Sequence, residues 1–177
     1  MRTSFTWWNA IKSDNVAFID WLRDQYHGEI TAHDRIQSFL KTHVPADSPW
    51  RRTLVLIASQ ELTHASWVGD LLRARGIEPT VLVKPERYWD ATLPGAIDFE
   101  TAAGVAAHAE QMRLERITVI AIDVDTPPDV RDVFARILPE ERFHAGAFRH
   151  MAGEPAFAAT LARHELGMEA IALIPAT

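Results

Sequence analysis

Residues 59–67 read SQELTHASW and residues 139–148 read PEERFHAGAF, two copies of one spacing: Glu61-x-x-His64 and Glu141-x-x-His144. On an α-helix an i, i+3 pair projects from one face, so each copy can aim a carboxylate and an imidazole at one point. A single copy reads as a solvated surface pair, because exposure is the common fate of charged residues. Two copies in equivalent helical positions, joined by one further carboxylate on each of two other helices, would build a centre for two metal ions.

The stretches around the copies are helical in pattern. Leu54, Ile57, Ala58, Ala65, Val68, Leu71 and Leu72 form one stripe and predict a helix over about 49–75. Ser48 is its candidate N-cap, Pro49 its first helical residue and Gly76 its C′ glycine. Phe134, Ile137, Leu138 and Phe148 predict a helix over about 127–152 that stops near Gly153 and is kinked or split by Pro139. Upstream, Ser13, Asp14 and Asn15 supply N-cap chemistry before Phe18, Leu22, Ile36, Phe39 and Leu40, a helix over about 14–43. Asp98 can cap another over about 98–122, apolar at Leu114, Ile117 and Ile120. Residues 77–98 contain three prolines and no sustained helical period, so they read as the one long connection, which lets the next helix run parallel to its predecessor. A fifth helix is expected over about 155–172.

Composition limits the function. A chain of 177 residues with 47% hydrophobic content suits one compact domain spanning residues 1–177. A net charge of −6 argues against nucleic acid and anionic membrane surfaces, which need a positive field. The opening MRTSFTWWNAIKSDN lacks an uninterrupted apolar signal core, and no run approaches the ~20 apolar residues of a membrane span, so a cytoplasmic location is expected. With no cysteine, the chain has no disulfide, thiolate nucleophile, iron–sulfur cluster or Cys-rich zinc module. A transition metal must be held by the eight histidines and 24 acidic residues, donors that suit iron, manganese or zinc.

Two more carboxylates complete the pattern. The midpoints of the four long helices fall near Glu29, Glu61/His64, Glu110 and Glu141/His144, so packing brings all six residues to one layer. Each carboxylate also interrupts an apolar stripe: Glu29 between Leu22 and Ile36, Glu61 between Ala58 and Val68, Glu110 between Ala107 and Leu114, Glu141 between Leu138 and Phe148. Four buried carboxylates repel one another unless strong cations neutralise them, and two divalent ions supply that charge.

This arrangement resembles the ferritin-like di-iron carboxylate superfamily, which includes bacterioferritins, rubrerythrins and di-iron oxygenases. The resemblance covers about residues 14–152 and implies an all-α, antiparallel four-helix bundle. The family's long link between its second and third helices matches residues 77–98, and the last helix is an addition. It further implies Glu61 and Glu141 as bridging ligands, Glu29 and Glu110 as terminal ligands, and His64 and His144 as one imidazole per metal. Where rubrerythrins carry an extra carboxylate, three residues after the third-helix ligand, this chain has Arg113, and their Cys-ligated domain is absent. Both features argue against a rubrerythrin-type peroxidase.

Tyr26, one turn before Glu29, and Trp67, one turn after His64, are expected beside the centre, either as packing residues with a polar tip or as oxidisable aromatics that carry electrons or hydrogen-bond a ligand. Arg113 either orients a ligand carboxylate or pairs at the surface with Glu115 or Glu140. His27, His33, His43, His108, His150 and His164 read as surface or cap residues, with His164-Glu165 placed to close over one end of the bundle. Trp7-Trp8 reads as packing within the subunit or across a homodimer. The expectation is an oxidoreductase with two iron or manganese ions, acting with dioxygen or hydrogen peroxide and an unidentified electron donor, with no catalytic group beyond the ligands. The alternatives are a ferroxidase or iron-handling protein, and a non-catalytic scaffold acting through a partner.

Overall fold

The computed structural model describes residues 4–172, and within them the protein is all-α, with no strand. The helices are α1 (Ser4–Lys12), α2 (Asn15–Thr42), α3 (Arg51–Arg73), α4 (Arg87–Thr92), α5 (Phe99–Ile122) and α6 (Pro128–Ala172), with a 3-10 turn at Leu93–Gly95. No helix among the described residues is long and apolar enough to cross a membrane.

Local chemistry sets the helix ends. Asp14 is extended and accepts from the Val16 and Ala17 N–H groups, which opens α2. Asp98 accepts from the Thr101 N–H while the Thr101 hydroxyl accepts from the Asp98 N–H, a reciprocal capping box at the start of α5. Gly76 has φ 71°, and the Gly76 and Ile77 N–H groups donate to the Arg73 and Leu72 carbonyls, as expected for a left-handed stop after α3.

Several expectations are corrected. Ser48 and Pro49 lie in the preceding turn rather than at the helix start: α3 begins at Arg51, and the Ser48 hydroxyl accepts from the Trp50 N–H. The helix runs through Pro139 and leaves helical conformation at Gly153 (φ 65°, ψ 167°). Pro139 and Ala135, whose carbonyl loses its partner, are both exposed, so the carbonyl is open to solvent and the helix continues. The connection over 77–98 contains α4 and the 3-10 turn, short elements that prolines flank and periodicity does not register. The sequence pattern also omits α1, which is too short to be stable alone and is held by packing. Trp8 is fully buried, donates from Nε1 to the Thr126 hydroxyl (2.9 Å) and packs edge-on against Trp21. Trp7 is partly buried, with the Arg116 guanidinium over its ring.

Cross-helix contacts give the directions of the long helices. Arg51 donates to the Leu40 carbonyl, His33 Nδ1 meets the Ala58 carbonyl, and Gly69 lies beside Tyr26, so α2 and α3 run antiparallel. Trp21 faces Phe134 and Phe39 faces Phe148, so α6 up to Gly153 runs parallel to α2. In α5, Ile117 and Ile120 share a cluster with Val130 and Phe134, and Ala103 and Ala107 share one with Phe148 and Ala152, so α5 opposes α6. The order along the chain is therefore up, down, down, up, with residues 74–98 making the crossing between the two parallel helices.

Beyond Gly153, α6 turns back along α5, where Gly104 lets Thr160 and the Ala156 carbonyl come close. Two histidines expected at the surface are buried here and beside α2. His108 Nε2 donates to the Phe157 carbonyl (2.9 Å), and its ring stacks on both Phe157 and His164; because a carbonyl only accepts, Nε2 carries the proton. His27 sits beneath the connection, where Nδ1 accepts from the Leu82 N–H and Nε2 contacts Glu86 at 2.5 Å. A local pattern cannot reveal burial made by segments 49 and 55 residues away. His164 pairs with Tyr88 of α4 through Nδ1 (2.8 Å), fixing the connection to the last helix. His43 is the C-cap of α2, and His150 is exposed beside Trp50, both as expected.

The backbone at Gly153 lies where essentially only glycine is stable, so Gly153→Ala is expected to lower unfolding free energy by about 1–3 kcal/mol. Gly146 is helical with open space at the Cβ position, and Gly146→Ala is expected to raise it by about 0.5–1 kcal/mol. Denaturant unfolding of the two variants checks both signs, and a neutral Gly153→Ala contradicts the turn.

Candidate metal centre

Between the two apolar clusters lies a polar layer with one contribution from each long helix. Glu29 comes from α2, Glu61 and His64 from α3, Glu110 from α5, and Glu141 and His144 from α6. All six are buried: five are fully inaccessible and Glu110 retains 8% exposure. Their ligand atoms fall into two groups, Glu29/Glu61/His64/Glu141 and Glu61/Glu110/His144, each with all atoms within 4.8 Å of one another, and each able to hold a metal ion. Glu61 is common to both groups, while Glu141 belongs to the first.

The hydrogen-bonding pattern fits a metal. Both oxygens of Glu29, Glu61 and Glu141, Oε2 of Glu110, and Nδ1 of both histidines are buried without a hydrogen-bond partner. Orphaned buried polar atoms are uncommon, since each forfeits about 1–3 kcal/mol. Here nine converge on one layer, and the unsatisfied set is made of carboxylate oxygens and imidazole nitrogens, the donors that bind divalent ions.

The opposite edge of each imidazole is satisfied. His64 Nε2 is 2.8 Å from Glu140 Oε2, and His144 Nε2 is 3.0 Å from Gln60 Oε1. A carboxylate and an amide oxygen both accept, so each Nε2 carries a proton and each Nδ1 turns toward the carboxylates. The residue preceding each motif glutamate thus orients the imidazole of the other motif. Gln60 and Glu140 are missed by reading the spacing alone, although their equivalent places in QELTH and EERFH are the available signal. The arrangement is asymmetric, because His64 leans on a charge and His144 on a neutral amide.

Arg113 occupies the inside position rather than pairing with Glu115 or Glu140. Its guanidinium makes ion pairs with Glu29, with Glu141 (3.2 Å) and with Glu61 (3.7 Å). Nε and Nη2 make no aligned hydrogen bond, so the contact is one of charge more than of shape. Trp67 lies 5.8 Å from the His64 ring, beneath the Arg136 guanidinium, and Tyr26 packs in the neighbouring apolar cluster.

Four carboxylates and one guanidinium leave a deficit of positive charge, which appears in the acid–base properties. Burial, with Glu141 and Glu61 nearby, raises the Glu110 carboxyl to about 8, and burial likewise pushes Glu61 up. Burial opposes the charging of His64, but hydrogen bonding and attraction to Glu141 and Glu29 prevail and raise it to about 10. Burial would raise Glu29 as well, yet Arg113 and His64 hold it down at about 2. His144 is lowered by burial. Without metal the layer therefore balances itself by retaining protons at Glu61, Glu110 and His64.

No protein-family model, curated protein or solved structure matches the chain.

Glu110 and His64 bind their protons more tightly folded (about 8 and about 10) than at their ordinary values of 4.5 and 6.5. Each then contributes stability that is complete below the ordinary value and is lost as pH rises through the folded one. Glu29 acts oppositely below pH 4.5, outside this window, and His144, lowered by burial, acts oppositely only below 6.5, at its acid edge. The melting temperature of metal-free protein is expected to fall by on the order of 5 °C between pH 6 and 9. A calorimetric melting temperature that rises across this range contradicts the proton-balanced layer.

Proposed function

We propose that the protein is a ferritin-like four-helix bundle whose core binds two transition-metal ions, iron or manganese, and that it is an oxidoreductase acting with dioxygen or hydrogen peroxide. The observation that carries this reading is the convergence, from four helices, of nine buried ligand atoms without a hydrogen-bond partner onto two groups sharing Glu61. The up, down, down, up order with one long crossing, and an added helix after Gly153, support the bundle.

In this reading Glu29, Glu61, His64 and Glu141 hold one ion, and Glu61, Glu110 and His144 the other. Bound iron or manganese would supply electrons to the oxidant, and an electron donor would return them to the ions. The protein's own residues hold the geometry: Gln60 and Glu140 keep each Nδ1 facing inward, and the carboxylates release their protons as the ions enter. Two divalent ions would balance the four carboxylates, so the charge of Arg113 beside Glu29 and Glu141 would leave the loaded layer net positive and favourable to anions. Apolar clusters on both sides keep water out.

A reading with iron as substrate is less well supported. The cavity that reaches Glu110 has apolar walls that include Ile36, Phe39, Val105 and Phe148, which suit an organic molecule better than a hydrated cation.

Elemental analysis after loading with iron(II) or manganese(II) is expected to give about two ions per chain. Glu61→Ala is expected to abolish dinuclear loading because it removes the shared ligand, and Glu141→Ala to empty the first group. Retention of two ions by both variants contradicts the ligand assignment. Arg113→Met removes a cation that competes for the same carboxylates, and is expected to tighten ion binding by tenfold or more, on the order of 1.4 kcal/mol. Weaker binding in this variant, measured by metal-chelator competition, contradicts that role.

A further inference from the structure

A cavity of about 230 Å³ lies between α2, α5 and the segment containing α4 and the 3-10 turn, with Phe148 of α6 contributing to its wall. Glu110 lines it and is otherwise buried, with Oε2 unpartnered. Phe39, Trp89 and Phe148 supply aromatic walls, and Ala102 and Ala106 leave the space open. A volume of this order suits a small molecule rather than a drug-sized one.

Arg35 is also on the wall. Its guanidinium lies 4.2 Å from the centre of the Trp89 ring, which fixes its plane. Nη1 meets Glu86 at 3.3 Å, while Nε is buried with no hydrogen-bond partner. Glu86 is held more closely by His27, whose Nδ1 accepts from the Leu82 N–H, so that Nε2 carries the proton donated to Glu86 at 2.5 Å. The side chain keeps 23% of its surface exposed, and Nη1 is its one terminal nitrogen bonded to Glu86, so the guanidinium still presents a charged edge to the cavity. A guanidinium, planar and always charged, matches a carboxylate better than it matches a single carbonyl or hydroxyl.

We propose that this cavity binds a small monocarboxylate with an aromatic or similarly compact apolar body, its carboxylate on Arg35 and its hydrocarbon part against Phe39, Trp89 and Phe148, alongside Glu110. The inference rests on the metal-centre reading for its relevance to catalysis, because Glu110 belongs to that centre. The binding itself depends only on the cavity and Arg35.

The test uses the full-length, metal-loaded protein with phenylacetate as probe and benzyl alcohol as its uncharged counterpart, binding being measured by calorimetry. Phenylacetate is expected to bind one per chain and at least tenfold more tightly than benzyl alcohol. Arg35→Gln is expected to remove that preference, and Ala106→Leu, which fills the cavity from α5 and leaves the Arg35 charge in place, to weaken both probes at least tenfold. Equal affinity for the two probes, an unchanged preference in Arg35→Gln, or unchanged binding in Ala106→Leu overturns the proposal. Metal content is measured on the same samples. Two ions per chain without phenylacetate binding overturns the cavity assignment alone, whereas phenylacetate binding by protein that takes up no metal supports the cavity and contradicts the metal centre.

Discussion

The burial of four carboxylates in one layer, opposed by a single guanidinium, is the constraint on which the rest of the molecule depends. Glu29, Glu61, Glu110 and Glu141 come from four different helices, so any imbalance of charge in the layer acts on the packing of all four. An isolated buried carboxylate is costly enough that it neutralises or acquires a partner. Here the response is divided: Arg113 and His64 keep Glu29 ionised, while Glu61 and Glu110 hold protons. Protons and divalent ions are alternative solutions to the same deficit, which links metal binding to pH and to stability.

The surrounding fold makes this layer possible. Apolar clusters above and below, one built around Trp8, Trp21 and Phe134 and the other around Leu54, Ile57 and Phe148, provide the stabilisation that the polar layer lacks. The crossing between α3 and α5 brings those two helices parallel, and His27 and Tyr88 fasten it through Glu86 and His164. The same crossing carries Trp89 to Arg35 and forms one side of the cavity that reaches Glu110. Thus the segment that sets the helix order also shapes the cavity beside the Glu/His layer.

Much of this was legible in the sequence because it rests on local periodicity. The Glu-x-x-His spacing, the apolar stripes and the capping residues Asp14 and Asp98 each act within a few residues of themselves, and the structure brings the six candidate residues together as their depth in the helices predicts. What escaped the sequence depends on distant partners. His27 and His108 are buried by the connection and by the last helix, and α1 is held by Thr126 and Trp21, far along the chain. Pro139 carried a rule about helix interiors whose force depends on solvent exposure of the carbonyl four residues earlier. Gln60 and Glu140 lay beside the motif, but their roles appear only once α3 and α6 face each other.

The central claim is that the layer is a two-ion centre sharing Glu61. Anomalous diffraction from crystals of metal-loaded protein, recorded at the iron and manganese edges, tests it most directly. The account predicts two peaks per chain, one among Glu29, Glu61, His64 and Glu141 and the other among Glu61, Glu110 and His144. A layer with no anomalous peak, in crystals grown with excess metal and with Arg113 still bridging Glu29 and Glu141, would contradict it.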